Sequence, residues 1–88
     1  MTIIEIRRNG NTVAEIESCV IGGRWYVALT LLPSRSSISQ GPYSSETAAD
    51  IGANNLAQQV ERDFNRRFQT SRHVVVYRDE TDPKNEVS

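Results

Sequence analysis

The chain has 88 residues and a mass of 9.9 kDa, room for one small domain and no second core. Its 38% hydrophobic and 24% charged residues exclude a wholly disordered polymer, and no apolar run approaches the roughly 18 residues of a membrane span. The formal charge of -1 divides into an acidic stretch over 79–88 and a body, residues 1–78, of nine arginines against seven acids, a balance far from both the strongly basic footprint of a dedicated nucleic-acid binder and the heavy acidity of a DNA mimic.

The first 32 residues read as a three-stranded antiparallel meander whose register follows from side-chain parity. Ile4 and Ile6 share one face of the first strand, and Ala14, Ile16 and Val20 share one face of the second. A two-residue turn at Asn9-Gly10 would set even positions against odd and split the apolar face, so a three-residue turn over Arg8-Asn9-Gly10 is predicted, with Ile4 opposite Ala14. At Gly22-Gly23 the parity is reversed, and a two-residue turn puts Cys19 opposite Tyr26 and Val20 opposite Trp25. Both turns assemble one core face from Ile4, Ile6, Ala14, Ile16, Val20, Trp25, Val27, Leu29 and Leu31.

Residues 33–45, PSRSSISQGPYSS, are rich in Ser, Gly and Pro and predict a long loop without regular structure, carrying Arg35, Ile38 and Tyr43. From 46 to 68, Ala49, Ala53, Leu56, Val60, Phe64 and Phe68 recur at helical spacing behind an N-cap at Ser44 or Ser45. Small residues at its start allow close approach to the sheet, Gly52 favours a frayed first turn, and Phe64 and Phe68 are expected to fill a gap against Trp25. Arg72 to Arg78 reads as a fourth strand, parallel to the first and third and docked beside the first. The expected architecture is an α+β domain of order β-β-β-α-β over residues 1–78, followed by a disordered tail over 79–88 with four acids against Lys84.

Catalytic and metal chemistry find little material. Cys19 is the one cysteine and His73 the one histidine, so neither an internal disulfide nor a four-ligand Cys/His zinc site can form. No phosphate loop, nucleophile elbow or His-Glu-x-x-His stretch is present. His73 reads as a structural strand histidine, and the expectation is a protein that is not an enzyme and carries no metal or cofactor. The N-terminus lacks the layout of a signal peptide, which places the chain in the cytoplasm.

Binding surfaces remain. The sheet face turned from the helix carries Glu15, Glu17, Cys19, Ile21 and Tyr26, an apolar patch edged by carboxylates, and a one-helix domain has nothing of its own to cover it. Another protein is therefore the expected partner, the simplest being a second copy that forms a homodimer through sheet faces or an edge strand. With Arg35 and Tyr43 of the loop, these residues make up the expected interaction site of a regulatory module. Small size and missing chemistry fit a phage or mobile-element accessory protein that inhibits a host complex. The alternative is a nucleic-acid contact through Arg62, Arg66, Arg67 and Arg72 near the helix C-terminus.

Gly41-Pro42-Tyr43-Ser44-Ser45, following the strand Trp25-Tyr26-Val27-Ala28-Leu29 and leading into an Ala-rich helix, resembles half of a peptidoglycan-binding SPOR repeat. The likeness spans about thirty residues, one supersecondary unit. A second unit and an export signal have no counterpart here, so the functional reading rests on the residues themselves.

Overall fold

A computed structural model describes residues 2–69 and 72–78. Its elements are β1 (Ile3–Arg8), β2 (Asn11–Ile21), β3 (Arg24–Leu31), β4 (Ser36–Tyr43), α1 (Glu46–Arg67) and β5 (His73–Tyr77). The five strands form one antiparallel sheet in the order β4-β3-β2-β1-β5, and α1 packs on one face of it. The α+β class and the meander are as the sequence predicts. The acidic tail lies outside the described residues.

The Gly22-Gly23 hairpin has the predicted register, from Ile21 opposite Arg24 to Ala14 opposite Leu31. Both glycines have positive φ, 59° and 80°, as a tight two-residue hairpin turn requires. The first hairpin corrects the prediction. Asn9 and Gly10 do form a two-residue turn, with φ of 54° and 81°, and Arg8 pairs with Asn11. Parity is restored by a bulge: the ladder jumps from Arg7–Thr12 to Ile6–Ala14, so Val13 is the extra residue and Ile4 faces Ile16, not Ala14. Turn chemistry and apolar parity are thus both obeyed, each at its own place along the strand.

The segment predicted as a loop is the other correction. Ser36–Tyr43 forms the edge strand β4, with Ile38 opposite Leu29 and Tyr43 opposite Trp25. Loop-like composition survives in a strand here because an edge needs only one ladder of hydrogen bonds, and Gly41 and Pro42 sit at its irregular end. The added strand reverses the chain before α1. Consequently β5 docks beside β1, as expected, but antiparallel to it.

The core is Ile4, Ile6, Ala14, Ile16 and Val27 from the sheet against Ala49, Ala53, Ala57 and Val60 from α1. Val20 (53% exposed) and Leu31 (36%) lie on the same sheet face but beyond the cover of α1, which corrects their assignment to the core. Ser45 caps α1, its hydroxyl accepting from the Ala48 N–H at 3.1 Å. The helix runs unbroken through Gly52, where a Cβ would stand 2.7 Å from the Tyr43 hydroxyl. Gly52 therefore admits the Tyr43 ring against the helix backbone. Phe64 and Phe68 surround His73, at centroid distances of 5.2 and 5.9 Å, so they meet β5 and not Trp25.

Candidate partner-binding face

Alternation along the strands sends Ile3, Glu5 and Arg7 of β1, Glu15, Glu17, Cys19 and Ile21 of β2, and Arg24, Tyr26, Ala28 and Thr30 of β3 to the face opposite α1. Cys19 pairs with Tyr26, and Glu17 lies between Ile3 and Ala28. The structure thus brings Glu15, Glu17, Cys19, Ile21 and Tyr26 together on one surface, as the sequence predicts. Among the described residues no element lies over it.

The three carboxylates of this face are not equivalent. Glu5 is buried, only 3% of its side chain exposed, and is gripped on both oxygens. Arg7 donates to Oε1 at 2.7 Å, the Thr12 hydroxyl donates to the same oxygen at 3.1 Å, and Arg78 donates to Oε2 at 2.6 Å. Burial pushes the Glu5 carboxyl up, but the hydrogen bonds from Arg7 and Thr12 and the charges of Arg7 and Arg78 outweigh it and hold the group below the ordinary carboxylate range. Sequence reasoning missed this network, since Arg78 reaches Glu5 only through the β1–β5 pairing.

Glu15 faces Glu5 across the strands, a like-charge pair that ordinarily destabilises a sheet, and Glu17 follows two residues on. Neither has an ion pair among the described residues. Glu17 is exposed and Glu15 half-buried. Burial, and then the charge of Glu17, raise the Cys19 thiol above its usual range, so it is a poor nucleophile at neutral pH. The face is therefore a shallow apolar strip of Ile3, Cys19, Tyr26 and Ala28 with two negative charges along its middle.

The other predicted residues are dispersed. Arg35 is exposed in the turn before β4 with φ of 63°, whereas Tyr43 packs on the core and on Gly52, so the two do not form a binding loop. Arg62, Arg66, Arg67 and Arg72 are exposed near the end of α1, and Arg66 is bound to Asp63 at 2.6 Å. His73 is buried, and Asn65 ties its backbone to α1, accepting from its N–H at 2.6 Å and donating to its carbonyl at 3.1 Å. Among the described residues there is no cluster of three metal-ligating side chains, and no helix is long and apolar enough to cross a membrane.

Comparison with protein-family models, with curated proteins and with solved structures finds no match to the chain. The SPOR-like segment accordingly stands alone: among the described residues a single helix serves all five strands, with no second strand–helix unit.

Proposed function

We propose that this protein is a non-catalytic, cytoplasmic protein-interaction module whose open sheet face binds a partner protein carrying cationic side chains beside an apolar contact. The observation that carries the reading is the pair of carboxylates, Glu15 and Glu17, which have no ion pair among the described residues, beside Ile3, Cys19, Tyr26 and Ala28. Glu5, one strand away, shows what such a carboxylate takes when cations are within reach. An arginine of the partner can bridge Glu15 and Glu17 while an apolar side chain beside it rests on Cys19 and Tyr26.

A second copy of the chain suits this face poorly. Stacking two open faces with these carboxylates at the centre would bring Glu15 and Glu17 against their own copies, and like charges set opposite one another across an interface cost several kcal/mol. Nucleic acid has less support, because the carboxylates repel phosphate and Arg66 is already held by Asp63. The proposed role is regulatory: a small accessory protein, of the kind phages and mobile elements carry, that occupies a basic surface of a host complex and so inhibits it.

A photo-cross-linking side chain placed at Thr30, beside Glu15, tests this in cells of the protein's own source. It is expected to capture a protein that the same group at Gln58, on the outer side of α1, does not. The double substitution Glu15→Lys and Glu17→Lys should abolish capture with an unchanged circular-dichroism spectrum. Equal capture from both positions, or capture indifferent to the charge reversal, overturns the proposal.

A further inference from the structure

The edge strand β4 presents a second surface, independent of the open face. It is outermost in the sheet, so one row of its backbone N–H and C=O groups points away from β3. Natural edges are guarded by charges, proline, bulges or a covering element, because an unguarded edge pairs with whatever strand it meets. Over Ser36–Gln40 β4 has no charged side chain, and its irregularities, the register shift opposite Trp25–Val27 and Gly41-Pro42, both lie at its far end. The opposite edge, β5, is shorter and has an arginine at each end, Arg72 and Arg78, whereas β4 has one, Arg35, at its start only.

Side chains along this edge point the same way. Ile38 is 59% exposed on the helix side of β4. Beside it an open groove of about 480 Å³ runs between β4 and α1, lined by Gln40, Tyr43, Ile51, Leu56 and Gln59 among others, with no charged residue in its walls. Ile51 is 57% exposed. A charged strand would find no counter-charge here.

The geometry points to antiparallel pairing of β4 with β4 of a second copy, about a two-fold axis normal to the sheet at Ile38. In that register Ile38 meets its own copy, Ser36 meets Gln40 and Ser37 meets Ser39, so every cross-strand pair is uncharged and apolar meets apolar. The product is a continuous ten-stranded sheet with both helices on one side. Both acidic faces lie on the other, as one double-width surface.

Sedimentation velocity on the full chain tests the pairing. The mass is expected to rise from 9.9 kDa toward twice that value as concentration increases to about 300 µM, a range that reaches weak affinities. Ile38→Lys, at an exposed position, should weaken self-association at least about tenfold, because two ammonium groups would face each other across the axis. Tyr26→Glu, on the open face, should leave it unchanged. In a Cys19→Ser background, Ile38→Cys is expected to join two chains through a short bismaleimide, whereas Val74→Cys on the other edge should not. A monomer at every concentration, or a dimer that survives Ile38→Lys or is broken by Tyr26→Glu, overturns the inference and leaves the open-face reading standing.

Discussion

Gly52 and Tyr43 show how one missing methyl group shapes a domain of this size. Alanine is the better helix former by about 1 kcal/mol, yet here its Cβ would enter the Tyr43 ring, 2.7 Å from the hydroxyl and 2.8 Å from Cζ. Gly52→Ala is therefore expected to stabilise a Tyr43→Ala background by about 1 kcal/mol and to lose that gain, or reverse it, in the native background. Chemical denaturation of the four chains in the cycle measures this coupling. Glu5 makes the matching case for charge. Its carboxyl is held below the ordinary range, so folding is favoured by this group above about pH 4.5, its unfolded value, and the contribution disappears as pH falls through the lower folded value. Glu5→Gln should cost about 1.5–3 kcal/mol at pH 7 and flatten the acid limb of a stability–pH profile below pH 4.5. Neither residue announces itself in the sequence: a helix glycine reads as a defect until its neighbour from another element is known, and Glu5 reads as one more solvent-facing acid.

Between residues and the whole fold, the bulge at Val13 reconciles two local rules that conflict. Asn9-Gly10 demands a two-residue turn, and the apolar pattern demands like parity across the hairpin; one extra residue in β2 satisfies both. Deleting Val13 is therefore expected to leave a regular ladder, with Ile6 still opposite Ala14 and Ile4 opposite Ile16, in a domain that still unfolds cooperatively on heating, followed by circular dichroism. The contrast with the second hairpin explains what the sequence could reveal. Where turn propensity and parity agreed, at Gly22-Gly23, every pairing was legible. Where they disagreed, parity predicted the correct faces and the wrong register. β4 was not legible at all, because alternation is the signature of a half-buried strand and β4 buries so little that no alternation was selected. Its omission then propagated into the direction of β5.

For the molecule as a whole, one layer of helix on one side of a five-stranded sheet leaves a surface whose character is electrostatic as much as apolar. Contacts made through Glu15 and Glu17 should weaken as salt rises, since exposed charges are screened within about 8–10 Å at physiological ionic strength. Partner affinity measured by calorimetry is expected to fall several-fold between low and physiological salt in the native chain. In the Glu15→Gln, Glu17→Gln chain affinity should be lower and nearly indifferent to salt. The composition of this face was readable in advance because parity alone assigns residues to faces. Which carboxylates are neutralised was not, because that depends on which strand lies beside β1.

The reach of α1 has one more consequence. β2 is eleven residues long, and its last turn with β3 extends past the helix, leaving Val20 and Ile21 exposed on opposite sides of the same arm, at 53% and 56%. Such an overhang is anchored at its root by the Ser18 hydroxyl, which donates to Asp50 at 2.6 Å and accepts from the Thr2 N–H at 2.9 Å. Beyond that clamp the ribbon is free to breathe while the body stays folded. Its amides should exchange with deuterium through local opening, ahead of those in β1 and the root of β2.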